Sequence, residues 1–391
     1  MGRERINAVT TSFFGRGSIG LLPGELKKRG YRRGLIVTDR FLFEHKAADR
    51  VGEQILAAGA EYAVFYLVQP NPTIQVVNDC IQAAKALEVD FLVAVGGGSA
   101  IDTAKAVSIV IANGGRVEDY EGVDLSARPG LPIVAVNTTA GTGSEVTSFY
   151  IVTNPATHSK MCIMDTNCMV SIAVNDVDFM MTMPPGLTAS TGMDAMTHAI
   201  EAVLSVRATP FTDKDAMWAI RVIKDNLPAA VKDGQDVKAR EMMAYAEYTA
   251  GMAFSNAGLG IVHAMAHALG GHFNLPHGIC NSVLLPYGMR FNGKSAEACG
   301  RFQRIAEALE LPGAAKMADG KAAEACVRYV RTFSKALGMP QTLKELKGVD
   351  PEKFGELADL AVRDFCMGDN LVRADREQVV EVYGEAWRGG V

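Results

Sequence analysis

What the chain lacks narrows it first. Its seven cysteines stand singly, with no CxxC pair, which argues against a structural zinc ribbon and against a disulfide framework. No apolar run approaches the roughly 20 residues that a membrane-spanning helix needs. The opening segment MGRERINAVTTSFF is charged and then alternating, without the apolar core of a secretory signal. Ile6 stands where a myristoylation signal asks for Ser or Thr. Lys and Arg number 39 against 44 Asp and Glu, a formal net charge of −5, so nothing marks a nucleic-acid surface. The GxxxxGK[ST] loop of nucleotide hydrolases is missing too. These absences predict a cytoplasmic protein that works without a nucleic-acid or membrane partner.

What is present divides into two rhythms. The 391 residues, 48% of them hydrophobic, suffice for two domains with separate cores. In residues 1–182, short apolar runs alternate with helical spacing. GLIVTD (34–39), EYAVFY (61–66), DFLVAV (90–95) and LPIVAV (131–136) read as strands, and 45–58 and 73–87 as helices. Segment 148–165 reads as an appended hairpin. Such alternation predicts a Rossmann-like parallel sheet wrapped by helices. After MPPGL, residues 183–391 turn to Ala, Met, Leu and Glu at helical spacing and predict an all-α domain. The α/β half reads as dinucleotide-binding and the helical half as the metal-binding and substrate domain. An alternating strand over residues 6–13 would form an unpaired sheet edge, which predicts a homodimer or larger homo-oligomer.

Two loops suit an anion. VAVGGGSAIDTAKAV (93–107) runs from a strand through Gly96-Gly97-Gly98-Ser99 into a helix, whose N-terminal N–H groups and dipole favour a phosphate. Residues 137–144, NTTAGTGS, follow the 131–136 strand and carry hydroxyls at Thr138, Thr139 and Thr142. Gly15-Arg16-Gly17-Ser18-Ile19-Gly20 also matches GxGxxG, but the run before it is polar and alternating, so Gly96–Ser99 is the preferred cradle. Asp39 closes a buried strand, where a carboxylate would hydrogen-bond an adenosine ribose and repel a 2′-phosphate. That favours NAD over NADP. The simpler role for Asp39 is a helix N-cap.

The helical half carries a metal signature. Asp194 and His198 are four apart in TGMDAMTHAIEA and share one helix face. GIVHAMAHALGGHFNLPH adds His263, His267, His272 and His277 around a Gly-Gly break. A carboxylate with several imidazoles and no thiolate suits a hard-to-borderline divalent ion. From the residues alone, which histidines bind stays open, as does iron against zinc.

The motifs GGGSAIDTAKAV, NTTAGTGSEVT, MPPGLTASTGMDAMTHAIEA and GLGIVHAMAHALGGHFNLPHGICNSVLLP resemble the group III, or iron-dependent, alcohol dehydrogenases over nearly the whole chain. The resemblance implies a dehydroquinate synthase-like architecture and ferrous iron, with zinc as the alternative, held by Asp194, His198, His263 and His277. It places His267 beside metal and nicotinamide as a catalytic residue. The family's NAD contacts fall on Asp39, Asn71, Gly97, Gly98, Ser99, Asp102, Thr138, Thr139, Thr142, Thr147 and Lys160. Phe149 departs from the pattern of one branch, which carries Asn there. The implied reaction is reversible hydride transfer between a short-chain primary alcohol or diol and NAD. A zinc-dependent polyol oxidation and a metal- and NAD-using lyase are the alternatives. A lyase acting on a phosphorylated carboxylate would need more Lys and Arg near the ligand segments than this sequence has.

Overall fold

A computed structural model describes residues 5–157 and 159–390, except the side chains of Cys299 and Asp319. Met1–Glu4, His158 and Val391, which fall within the expected domain and hairpin bounds, lie outside the described residues. The chain forms two compact units, one up to Thr182 and one from Met183 onward. Among the described residues, no helix is long and apolar enough to cross a membrane.

The first unit is built on a parallel sheet of six strands. These are β1 (Thr11–Phe14), β2 (Arg33–Asp39), β3 (Glu61–Val68), β4 (Phe91–Gly96), β6 (Ile133–Asn137) and β9 (Ile172–Asn175), in the order β1-β9-β6-β4-β2-β3. Strands β4 and β6 are buried at every position, and apolar up to Gly96 and Asn137 at their last positions, as strands covered on both faces must be. The helices α1 (Leu22–Arg29), α2 (Arg40–Glu44), α3 (Ala47–Ala57), α4 (Ile74–Ala86) and α5 (Gly98–Asn113) join these strands. From β2 the chain passes to β3 on one side and then returns to β4 on the other. That reversal creates a crevice at the carboxyl ends of neighbouring strands, where ligands of such sheets gather. A second sheet, β5-β8-β7, consists of β5 (Gly122–Val123) beside the antiparallel pair β7 (Phe149–Asn154) and β8 (Ser159–Met164).

Two details differ from the sequence reading. The first strand covers Thr11–Phe14 rather than residues 6–13, and it is paired in parallel with β9, so it is the edge of a large sheet. The β9 strand itself is too short for its alternation to register. The helix read over 45–58 is α3 (Ala47–Ala57). The short α2 (Arg40–Glu44) that precedes it, absent from the sequence reading, is set off by Lys46 in a left-handed conformation (φ 65°).

The second unit contains helices α6 (Pro185–Val203), α7 (Pro210–Lys232), α8 (Val237–Ala257), α9 (Ile261–Phe273) and α10 (His277–Gly293). It continues with α11 (Ala296–Ala308), α12 (Asp319–Ala336), α13 (Phe354–Ala361), α14 (Phe365–Asp369) and α15 (Arg376–Arg388). Pro185 at the first turn starts α6, and a Thr209–Thr212 capping box starts α7. Helix α6 packs against α7, α8 and α10. It is buried nearly all round, which is why its sequence shows little polar stripe.

Candidate functional site

Four side chains of the helical unit converge. Asp194 and His198, one turn apart on α6, are 2% and 4% exposed, so they belong to the interior rather than to a solvated stripe. Helix α9 brings His263 from its first turn, and α10 begins at His277 directly after Pro276. One donor atom from each of Asp194, His198, His263 and His277 lies within 4.8 Å of the others. Asp194 Oδ1 is 3.9 Å from His263 Nε2 and 3.7 Å from His277 Nε2. His272 stands apart, with Nδ1 3.6 Å from Glu356.

A close helix crossing makes this convergence possible. A Cβ on Gly278 would sit 2.4 Å from the Ser190 carbonyl oxygen. Only glycine therefore lets the first turn of α10 press on α6 and deliver His277 to Asp194.

Three further residues, which the sequence reading missed, orient the cluster. Glu201 accepts hydrogen bonds from the backbone N–H of Val262 (2.7 Å) and His263 (3.3 Å), and lies 2.5 Å from His263 Nδ1. The ring is thereby turned so that Nε2 faces the cluster, the arrangement found behind many metal-binding histidines. Burial pushes the Glu201 carboxyl up, to about 8, against the downward pull of the N–H groups of Val262, His263 and Gly260. His267 Nδ1 lies 2.8 Å from Asp364 Oδ2, and its ring stacks on that of His277 at 5.3 Å. Burial raises the Asp364 carboxyl, but the charge and hydrogen bond of His267 outweigh it and hold Asp364 below its ordinary range. Asn281, buried one turn after His277, directs its amide nitrogen into the middle of the set. That nitrogen lies 2.6 Å from Asp194 Oδ1, 2.9 Å from His263 Nε2 and 3.1 Å from His277 Nε2. His198 is packed between the rings of Phe254 (4.2 Å) and His263 (4.6 Å).

Glu201 left a signal, since it lies seven residues after Asp194 and three after His198 on one helix face. Asn281 is likewise at i+4 from His277. Asp364 left none, because only the fold brings it to His267.

The donor set fits a divalent metal. Three imidazoles and one carboxylate, largely withdrawn from water, supply the nitrogen and oxygen ligands that iron and zinc take. The Asn281 N–H₂ group, donating to Asp194 and standing 2.9 and 3.1 Å from His263 Nε2 and His277 Nε2, faces the region they share.

The α/β unit builds the other candidate site from strand ends. Gly96 of β4 is in register with Asn137 of β6, so the 97–99 turn lies beside Thr138 and Thr139. A Cβ on Gly97 would fall 2.7 Å from Thr139 Oγ1, so glycine is required for the two loops to abut. Thr139 Oγ1 is itself buried without a hydrogen-bond partner among the described residues, a group suited to a bound polar ligand. Thr142 packs the same way against Gly98. Asp102 and Lys105, one turn into α5, pin the second loop. Asp102 accepts from Ser144 Oγ (2.6 Å) and the Ile151 N–H (3.0 Å). Lys105 Nζ donates to the Thr147 and Phe149 carbonyls (2.8 and 2.7 Å). Asp39 ends β2 and caps α2 through the Leu42 N–H (2.8 Å), so the capping role is real. Asn71 holds a left-handed conformation (φ 55°) two residues before Thr73. Thr73 bridges Thr153, and Thr153 pairs with Lys160, which gathers Asn71 and Lys160 at one corner. The GxGxxG match at 15–20 is accounted for internally, because the N–H groups of Gly17 and Ile19 donate to the Asp176 carboxylate (3.0 and 3.1 Å).

Comparison with known proteins agrees with this arrangement. Residues 10–177 match the family described as iron-containing alcohol dehydrogenase, and residues 188–387 match the C-terminal part of the Fe-containing alcohol dehydrogenase family. The chain is 43% identical to alcohol dehydrogenase 4 of Saccharomyces cerevisiae over 376 residues, 96% of each chain. It is 40% identical to the NAD-dependent methanol dehydrogenase of Bacillus methanolicus over 377 residues, covering 96% of this chain and 97% of that one. The crystal structure of a 1,3-propanediol oxidoreductase superposes with a TM-score of 0.94 at 38% identity, covering 99% of this chain and all of the other.

Proposed function

This chain belongs to the iron-containing alcohol dehydrogenase family and is an oxidoreductase, and we propose that it interconverts short-chain primary alcohols or diols and their aldehydes with NAD. The observation that carries the proposal is the convergence of Asp194, His198, His263 and His277 within 4.8 Å. These four are the proposed ligands, for iron with zinc as the alternative. When bound, the cation supplies Lewis-acid polarisation of a substrate oxygen, and the nicotinamide ring supplies or accepts the hydride.

The chain's own residues do the rest. Glu201 keeps His263 Nε2 directed at the cation, and Phe254 fixes the His198 ring. Asp364 holds the Nδ1 proton of His267, which leaves Nε2 as the nitrogen that takes the alcohol proton or returns it to the aldehyde. In the α/β unit, Gly97, Gly98 and Ser99 at the start of α5 would take the pyrophosphate. Thr138, Thr139, Thr142 and Thr147 would bind the nicotinamide half, with Asn71, Asp102 and Lys160 around it. The Asp39 carboxylate at the end of β2 favours NAD over NADP.

The named relatives act on methanol and on 1,3-propanediol, so the substrate reading spans short mono-alcohols and diols. Two finer points belong to the same proposal. The edge position of β1 supports a homo-oligomer, and scattered cysteines suit the reducing cytoplasm.

The test is elemental analysis of freshly purified protein, followed by ethanol, 1,2-propanediol, 1,3-propanediol and glycerol with NAD and NADP. The expected result is one divalent transition ion per chain and NADH formation that stops when the ion is stripped. Protein without bound transition metal that still forms NADH would refute the metal reading.

A further inference from the structure

Asn281 occupies a point that a cation also needs. Its nitrogen donates to Asp194 Oδ1 at 2.6 Å and stands 2.9 and 3.1 Å from His263 Nε2 and His277 Nε2. The residue is fully buried, and its Oδ1 has no hydrogen-bond partner among the described residues, so the amide is oriented by the cluster alone. His263 Nε2 accepts in the tautomer that carries its proton on Nδ1, toward Glu201. Asp194 Oδ1 stands 3.9 and 3.7 Å from the two imidazole nitrogens. A tetrahedral ion with bonds of about 2.1 Å would draw such donors to about 3.4 Å apart. An amide nitrogen does not donate a lone pair to a metal, so amide and ion exclude each other from the shared point.

We propose that Asn281 is a built-in competitor of the metal: its amide holds Asp194, His263 and His277 toward one point and must be displaced when a divalent cation enters. The proposal rests on the metal reading given above. Its consequence runs opposite to that of an ordinary supporting residue. Truncating Asn281 removes stabilisation only from the form in which the amide sits among the ligands. The metal-loaded form keeps its bonds, and the ion binds more tightly.

The experiment titrates zinc, against a chromophoric chelator, into the chelator-stripped full-length chain and its Asn281→Ala and Asn281→Ser variants. Thermal unfolding is recorded with and without zinc. Loss of one net hydrogen bond predicts about tenfold tighter zinc binding for Asn281→Ala, the equivalent of about 1.4 kcal/mol. Asn281→Ser retains one donor, falls between the two, and carries the test if the alanine variant does not fold. The zinc-free unfolding midpoint should drop while the zinc-loaded midpoint stays near that of the parent. Unchanged or weaker zinc binding, or an equal drop in both midpoints, overturns the proposal and leaves the metal reading standing. A parent chain that binds no zinc or iron overturns both.

Discussion

His263 Nδ1 lies 2.5 Å from a Glu201 carboxylate oxygen that also bonds the N–H of His263 itself, so side chain and backbone of one residue are fixed by one carboxyl group. Replacing Glu201 by Gln keeps the size and an acceptor for Val262 but presents an N–H₂ group to Nδ1. The imidazole then favours the opposite tautomer, with its proton on Nε2, facing the ion. We expect Glu201→Gln to fold and to lose about 10- to 100-fold in metal affinity. Metal content after dialysis against a graded chelator series checks it, and retention equal to the parent would remove Glu201 from the site.

His267 is the second nearby histidine with a carboxylate behind it, yet it plays a different proposed part. His267→Ala should slow turnover by about 100-fold or more, the usual scale for a lost general acid–base group. Metal content should stay at the parental level. Metal loss would instead make His267 a ligand.

Asp364, the partner of His267, gives a pH dependence with a definite sign. Its carboxyl is held below the ordinary range, so the folded state binds its proton less readily than the unfolded chain does. The stabilisation is therefore full above the unfolded value, at about pH 4, and is lost as pH falls through the lower folded value. Asp364→Asn still offers an oxygen to the Cys366 N–H that starts α14, but it has no charge to lose. Unfolding midpoints measured from pH 7 down to pH 3 should decline less steeply on the acid side for this variant. Parallel declines would show that the His267–Asp364 pair contributes nothing.

Much of this site could be read from the chain because its information is local. Asp194 and His198 share a helix face, and His263 and His277 fall in one histidine-rich stretch, so spacing marked the region, while only the family resemblance singled out the four. The break expected at Gly270-Gly271 is not there, because α9 runs through both glycines and ends at the left-handed Asn274. DFLVAV announced a buried strand because covering both faces makes every position apolar. What escaped depends on distance along the chain. Asp364 meets His267 across 97 residues, and the Asp176 carboxylate that fills the 15–20 loop arrives from 159 residues away. Strand β9 has four residues, too few for a period to show. The alternation over residues 6–13 begins before pairing does; only Thr11–Phe14 has a neighbour in β9.

Gly278 tests the geometry without touching a donor atom. A Cβ there would stand 2.4 Å from a backbone oxygen, which cannot rotate aside, so α10 must move off α6. Gly278→Ala should cost about 1–3 kcal/mol of stability, the scale of an overpacked interior. It should also lower metal content, because His277 moves with the first turn of α10. Differential scanning calorimetry and elemental analysis on one preparation read both effects. A stable variant with full metal would mean that α6 and α10 tolerate a wider crossing than the ligand set implies.

Lys105 tests the α/β site by itself. It is fully buried, and its ammonium bonds the carbonyls of Thr147 and Phe149 and approaches the Ser144 hydroxyl at 3.3 Å. Asp102, on the same turn of α5, accepts the hydrogen bond of the Ser144 hydroxyl. Burial pushes Lys105 down and Asp102 up, and each charge opposes the shift of the other. Lys105→Met fills the volume but strands two carbonyls and leaves Asp102 without its cation, so we expect a loss of about 3–5 kcal/mol. The loop carrying Thr138, Thr139, Thr142 and Thr147 then loses its anchor to the helix that follows the Gly96–Ser99 turn. The KM for NAD should rise while metal content and the KM for alcohol hold. If instead metal is lost and the NAD dependence is unchanged, the 138–147 loop is not the cofactor loop, and the dinucleotide must be sought elsewhere on the α/β unit.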